Sequence, residues 1–196
     1  MENKIDILKE TLNIGVGRAA GILSDMLKKP IKLNVPEILI LDINRLNSFY
    51  SQVFNEKLSL IKLEFNGPIN GNSCLIFPTQ SAKKLVKILM DELDENDNNM
   101  EIDMLEEGTL TEVGNILLNG IMGSIANLME DHLDYTVPHY RVDSILNIIN
   151  ESLKPINDNV ILAKTKFDIE SLEISGDVLL LLEGPGLDKL TSYLSK

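Results

Sequence analysis

Residues 4–28 carry hydrophobic and polar positions with the period of an amphipathic helix. An α-helix turns by about 100° per residue, so each residue can be placed around the axis with Glu10 at zero. Polar and small side chains then lie within about 60° of Glu10, and apolar side chains face the opposite way. Pro30 ends the predicted helix because its ring carries no amide hydrogen. The apolar side consists of Ile5, Leu8, Leu12, Val16, Ala19, Leu23 and Met26.

The pattern over the rest of the chain predicts strands and further helices. Residues 31–41 are rich in β-branched and apolar side chains, which favours a strand, and Pro36 within it indicates an edge or a bulge. Residues 42–56 and 143–158 show no clear period and receive no assignment. The other predicted elements are strands at 58–65, 72–77, 133–142, 159–169 and 172–183, a turn at Ser175-Gly176-Asp177, and helices after Thr79, at about 103–131 and at about 185–195.

A motif within the first helix occurs twice in the chain. Glu10 and Asn13 form a Glu-x-x-Asn pair, which is followed after 22 residues by Pro36. The same pair and the same spacing return 102 residues later. A repeat at a fixed offset indicates duplicated units. Packing within each unit is the alternative to a functional reason for keeping these residues. The second set is Glu112, Asn115 and Pro138, and Ile14 matches Ile116, Gly21 matches Gly123, and Val35 matches Val137.

Both motifs are predicted to lie on an exposed helix face. In the first helix, Gly17 and Gly21 fall on the same face as Glu10 and Asn13, although a glycine in mid-helix costs up to ~1 kcal/mol relative to alanine. A groove without side chains lets another protein surface approach closely, so we expect a docking face. Its predicted partner-binding residues are Asp6, Ile14, Gly17, Gly21, Ile116, Asn119 and Gly123, beside the pairs Glu10–Asn13 and Glu112–Asn115.

The repeat predicts the fold class. We expect an α+β protein with one domain over residues 1–196 and a pseudo-twofold arrangement of two αβββα units, at 4–92 and 106–196. Neither unit closes a core alone, so antiparallel sheet should pack with helices and the two motif helices should lie adjacent on one surface. The run at about 91–103 holds seven acids and no base, which indicates a solvated connection.

Composition narrows the classes of partner. The net charge is −12, which disfavours nucleic acid and favours a basic protein surface. The single cysteine, Cys74, is expected to be a buried, inert thiol in a reducing compartment. The N-terminal residues hold no apolar signal core, and no apolar run reaches the length of a membrane span. We therefore expect a cytoplasmic location and no membrane insertion.

Three other kinds of functional site have less support in the sequence than the repeated motif. Gly15-x-Gly17-x-x-Ala20 matches a loose dinucleotide-binding pattern, but no buried strand precedes it and the second copy has Leu117 and Asn119 instead of the glycines. His132 and His139 would need further ligands to hold a metal, so no metal site is predicted. The acidic run lacks the glycine and spacing of a calcium loop.

The Glu/Asn pair suggests a chemistry in which this chain supplies positioning. A carboxamide both accepts and donates hydrogen bonds, so it can hold a water molecule in line with a phosphorus atom. The chain has no phosphate-binding loop of its own, so a partner would supply the phosphoryl group and Mg²⁺, and no cofactor is expected on this chain. Glu10 and Glu112 would pair with a lysine beside the partner's phosphorylated site.

The signature Asp/Ser-x-x-x-Glu-x-x-Asn, 22 residues, Pro resembles that of the CheC/CheX/FliY phosphatases of bacterial chemotaxis. Asp6, Glu10, Asn13 and Pro36 match it fully, whereas Gly108 replaces the first residue in the second copy. Two intact pairs resemble CheC more than CheX, which keeps one, and we expect no flagellar-switch module after residue 196, unlike in FliY. The resemblance implies a monomeric phosphatase of the phosphorylated, CheY-like response regulator, with CheD as a further partner. A non-catalytic module that sequesters a regulator or CheD is the alternative.

Overall fold

The computed structural model describes residues 2–50, 57–90, 99–145, 147, 151, 159–169 and 172–194. The chain forms both helices and strands. The helices are α1 (Glu2–Leu27), α2 (Ile43–Phe49), α3 (Thr79–Met90), α4 (Asn99–Met129) and α5 (Gly186–Tyr193). The strands are β1 (Ile31–Leu41), β2 (Lys57–Asn66), β3 (Gly71–Pro78), β4 (Asp134–Tyr135), β5 (His139–Ser144), β6 (Asn159–Ile169) and β7 (Leu172–Leu182).

The seven strands form one antiparallel sheet in the order β1-β6-β7-β3-β2-β4, with β5 also paired to β2. Both faces of its central strands are covered. Successive residues of β7 point to opposite faces, and Leu180 and Leu182 join one hydrophobic cluster while Leu179 and Leu181 join another. The predicted α+β class with antiparallel sheet and helices is confirmed.

Helices α1 and α4 cover one face of the sheet and pack tightly against each other. Gly15 and Gly120 mark their contact, because a Cβ at Gly15 would lie 2.4 Å from the Gly120 carbonyl oxygen and one at Gly120 would lie 2.7 Å from that of Gly15. Gly15 is therefore a mid-helix contact residue, which is incompatible with a dinucleotide-binding loop at this position. The predicted apolar side of α1 is largely confirmed, except that Met26 is about half exposed.

The opposite face of the sheet carries a smaller core closed by α2. Leu46 and Tyr50 pack there, and the Tyr50 hydroxyl donates to Asp177 Oδ2 over 2.5 Å. Burial raises the pKa of Asp177, while the Tyr50 hydrogen bond and Lys164 act in the opposite direction. Cys74 is fully buried in the same cluster, and burial raises the pKa of its thiol to about 12, as expected of an inert cysteine.

Three details of the sequence prediction are wrong. Ser175–Asp177 is not a turn: it lies within β7, where Gly176 faces the Phe77 ring. The predicted strand at 133–142 is interrupted between β4 and β5. Helix α4 begins at Asn99, so the acidic connection does not extend to residue 103, and residues 91–98 lie outside the described residues.

Candidate functional site

The first motif is built around Asn13, which joins α1 to β1. The register of β1 against β6 shifts between Asn34 and Glu37, so Val35 and Pro36 form a bulge. The Asn13 side chain bonds both backbone groups of Val35: Oδ1 accepts from its N–H over 2.8 Å, and Nδ2 donates to its carbonyl over 3.2 Å. Nδ2 also donates to the carbonyl of Lys9 over 2.9 Å. In the first copy the 22-residue spacing therefore corresponds to a tie between the helix and the strand.

These bonds leave Asn13 little capacity for a ligand. A carboxamide offers two N–H donors and two acceptor lone pairs. Asn13 uses both donors and one lone pair within the chain, and its side chain is half-buried. The expectation that this amide points freely into solvent is therefore wrong in this structure. The groups that Asn13 bonds are backbone groups of a helical turn and of a bulge, and such groups need hydrogen-bond partners.

The other predicted residues of α1 do lie on the surface. Asp6 and Glu10 are exposed, and Ile14 is 49% exposed beside them. Gly17 and Gly21 are exposed, and a Cβ at either would meet no atom within 4 Å. The helix therefore presents two carboxylates, an apolar side chain and open space along one side, which is the composition expected of a docking face.

The second motif has a different geometry. Asn115 Oδ1 accepts a 2.7 Å hydrogen bond from Nδ2 of Asn119, one helical turn further along α4. Within the described part of the chain, no group accepts from Asn115 Nδ2, so both of its donors and one lone pair remain. Asn115 is half-buried and Glu112, three residues earlier, is exposed. This pair therefore offers an amide and a carboxylate side by side to a partner.

The strand beside the second motif is arranged differently from the strand beside the first. Thr136 fixes the interrupted strand to β2, since its N–H donates to the Glu64 carbonyl over 3.0 Å and its Oγ1 accepts from the Glu64 N–H over 2.9 Å. Val137 is 75% exposed, whereas Val35 in the first copy is 1% exposed. Pro138 is buried and Pro36 is exposed. The valine is therefore the buried residue of the pair in the first copy, and the proline is the buried residue in the second.

The remaining predicted docking residues of α4 are less exposed than those of α1. Ile116 is half-buried and packs against the main core, and Asn119 is half-buried. Gly123 is half-buried, but a Cβ there would meet no atom within 4 Å. The face predicted as solvent-exposed is thus only partly so on α4, because Val113, Leu117 and Met122 are also buried and leave this helix a narrow surface.

A cavity of about 350 Å³ opens beside Glu112, between the ends of α1 and α3 and the middle of α4. Gly108 contributes to it by lacking a side chain, because a Cβ there would meet no atom within 4 Å. The residue that departs from the motif therefore creates space next to the second carboxylate. The other lining residues are Met26, Leu27, Leu89, Met90, Thr109 and Val113.

The histidines do not form a metal site with other groups. The His132 Nε2 atom lies 3.2 Å from Asp134 Oδ1, with both side chains strongly exposed, and His139 is exposed at the start of β5. Among the described residues, no three His, Cys, Asp or Glu side chains converge as metal ligands. No described helix combines the length and apolarity that crossing a membrane requires.

Two residues that shape the site were not identified from the sequence. Thr136 ties the interrupted strand to β2, and the backbone of Val35 is the partner of Asn13. The 22-residue spacing does not by itself identify the contact of Asn13 with Val35, because the same spacing separates Asn115 from Val137, and the described residues show no bond between them. No signal in the sequence marks Thr136.

Comparison with known proteins gives a consistent family likeness. No protein-family model matches the chain. It is 27% identical over 156 residues to the CheY-P phosphatase CheC of Bacillus subtilis (strain 168), which spans 80% of this chain and 74% of that protein. FliY of Thermotoga maritima has a similar structure, with a TM-score of 0.77, 18% identity, and coverage of 100% of this chain and 97% of that chain.

A structure of the CheX–CheY–BeF3–Mg²⁺ complex from Borrelia burgdorferi also matches, with a TM-score of 0.54 and 17% identity over 87% of this chain and 96% of that chain. At these identities the two structural matches show the fold alone. The sequence match adds the likeness to CheC that the motif indicated. The chain is therefore CheC-like in sequence, and its fold is similar to those of FliY and CheX.

Proposed function

We propose that this chain is a phosphatase that hydrolyses the aspartyl-phosphate of a CheY-like response regulator. The observation that carries the proposal is the pair on α4, where the exposed Glu112 stands beside an Asn115 amide with unused N–H donors. The likeness to a CheY-P phosphatase supports the same reaction. The acidic surface, with a net charge of −12, suits a partner that presents a lysine beside its phosphorylation site.

The proposed reaction needs positioning more than new catalytic groups. A water oxygen attacks phosphorus in line, the bond from phosphorus to the aspartyl oxygen breaks, and the aspartate leaves as a carboxylate while the proton passes to phosphate. Asn115 orients the water and Glu112 anchors the partner's lysine. The partner supplies Mg²⁺, which neutralises charge on the phosphoryl oxygens. Water is held rather than deprotonated, because an amide is no base at neutral pH.

The pair Glu10–Asn13 is proposed as a second site of lower activity. Glu10 is exposed and able to anchor a partner, but Asn13 would first have to give up its bonds to Lys9 and Val35. Partner docking on the open glycines Gly17 and Gly21, beside Asp6 and Ile14, would still use this helix. On α4 the corresponding proposed docking residues are Ile116 and Gly123, while Asn119, the third residue predicted for this face, bonds Asn115.

We also infer that the chain is a single domain made of two related units, at 4–92 and 106–196. Helices α1 and α4 end at Leu27 and Met129, and the next residues, Lys28 and Glu130, both adopt a left-handed φ of 53°. These positions differ by the same 102 residues as the motifs. The strand order also supports the inference of two related units. Replacing each strand by its counterpart in the other unit, with β1 matching β4 and β5, β2 matching β6 and β3 matching β7, gives the same order in reverse.

The test of the phosphatase proposal is the decay of a phosphorylated CheY-like regulator in the presence of Mg²⁺. The double variant Asn13→Ala with Asn115→Ala should no longer accelerate phosphate release, while its folded state is retained. Asn127→Ala, an exposed asparagine on α4, is the matched control and should keep the wild-type rate. If the double variant still accelerates the decay, the proposed mechanism is wrong.

A non-catalytic binding module is the second candidate, favoured by the engaged state of Asn13. Such a module would sequester a regulator or CheD through the docking face. It would bind the phosphorylated regulator and leave its rate of dephosphorylation unchanged. Measuring binding and phosphate release on the same samples separates the two candidates, and the same binding assay with CheD tests that partner.

A further inference from the structure

Asn115 and Asn119 form a pair of amides on one face of α4. Residues at positions i and i+4 of a helix lie one above the other. The 2.7 Å separation of Asn119 Nδ2 and Asn115 Oδ1 is at the short end for an N–H to oxygen hydrogen bond. Both side chains are half-buried, so water competes only partly for this bond. In this arrangement the Oδ1 end of the Asn115 amide faces Asn119 and its Nδ2 end faces away.

The orientation of that amide matters for an anionic ligand. With Oδ1 turned to Asn119, the Nδ2 protons of Asn115 are free to donate to phosphoryl oxygens, and the second lone pair of Oδ1 is free to accept from water. The reversed amide would present a partly negative oxygen to the phosphoryl group instead. Charge-assisted donors to an oxyanion are about twice as strong as neutral ones, so the orientation affects turnover.

The first copy of the motif lacks this device. Gly17 occupies the position that corresponds to Asn119, so no side chain can bond to Asn13 from there. There the amide is held by the backbone of Val35 and Lys9, with its Nδ2 donors occupied. The difference between a free and an occupied amide thus coincides with the presence of an asparagine one turn away.

We propose that Asn119 is a positioning residue, which holds Asn115 with its N–H groups directed to the phosphoryl group of the bound regulator. This inference rests on the proposed phosphatase function. It assigns to Asn119 an action through Asn115, in place of direct contact with the partner. Two substitutions separate these roles, because one removes the donor and the other reverses the bond.

The first variant is Asn119→Ala, which removes the donor to Asn115. It should lower kcat on the order of tenfold, the effect of losing one hydrogen bond, with KM changed by less than about twofold. The second is Asn119→Asp, which keeps the size but can only accept. Asn115 would then turn Nδ2 toward the carboxylate, so kcat should fall further than in Asn119→Ala.

The control for added charge is Asn127→Asp, at an exposed position on the same helix, which should keep the wild-type kcat. All variants are assayed for phosphate release from the phosphorylated CheY-like regulator with Mg²⁺, and thermal melting checks that each is folded. Wild-type kcat in both Asn119 variants would overturn the inference. A rise in KM alone would also overturn it, because it would make Asn119 a docking contact. If Asn115→Ala keeps the wild-type rate as well, the proposed function itself fails.

Discussion

The two Glu-x-x-Asn segments have the same sequence pattern and different tertiary roles. Asn13 bonds the backbone of Val35 at the bulge in β1, whereas Asn115 bonds Asn119 on its own helix. Val35 is buried and Val137 is exposed, so the two bulges also face differently. The comparison teaches that a repeated motif can serve as a structural tie in one copy and leave the same amide available in the other.

The cause of the difference lies in the strands beside each motif. In the second copy Thr136 makes two bonds with Glu64 of β2, and Val137, which matches Val35, is 75% exposed. In the first copy the backbone groups of Val35 take their partner from α1. Because buried backbone groups must be bonded, the buried Val35 requires the amide of Asn13, whereas the exposed Val137 places no such demand on Asn115.

The largest expected effect separates the two copies by activity. Asn115→Ala should reduce the rate of phosphate release by about a hundredfold, as expected for loss of a positioned group at the transition state. Asn13→Ala should reduce it much less, because this amide is already occupied. Single-turnover release of phosphate from the regulator measures both. Equal losses in the two variants would contradict the comparison.

The next prediction concerns the contact that sets the two helices against each other. Gly15→Ala should lower the free energy of unfolding by roughly 1–3 kcal/mol, because the added methyl group would overlap the Gly120 backbone. Denaturant unfolding followed by circular dichroism measures this change. A variant as stable as the wild type would show that α1 and α4 adjust their spacing freely.

The comparison also predicts a difference in stability between the two asparagines. Asn13→Ala leaves the N–H and carbonyl of Val35 without their partner and should cost about 1–3 kcal/mol of unfolding free energy. Asn115→Ala breaks one bond between half-buried side chains and should cost less than about 1 kcal/mol. Urea titrations of the two variants give the values. The reverse order would mean that Asn13 is not the structural tie.

The smallest effect is expected at the open glycines. Gly17→Ala has free space for its methyl group and should stabilise the chain by up to about 1 kcal/mol, since alanine is the better helix former. If α1 is a docking face, the same substitution should weaken binding of the regulator, which a titration against the wild type would detect. Unchanged binding would remove Gly17 from the proposed docking surface.

Helices and strands whose hydrophobic residues recur with a regular period were predictable from the sequence. Burial of one side of such an element imposes that period on neighbouring residues. The first helix, the hairpin of β2 and β3, and most of the buried side of α1 followed from it. The prediction of a turn at Ser175-Gly176-Asp177 was wrong because glycine occurs in strands as well as in turns, wherever another group packs too closely for a side chain. At Gly176 that group is the ring of Phe77, which belongs to a different strand and so cannot be inferred from the local sequence.

The sequence by itself determined which residues form the candidate site: the Glu/Asn pairs, their prolines and the fixed spacing between them. The tertiary structure alone decided which amide is free. That choice depends on the contact of Asn13 with the buried Val35, which lie in separate elements of the chain, and on the exposure of Val137 in the second copy. Hydrogen bonds of this kind leave no period in the sequence, because each depends on the relative position of a helix and a strand.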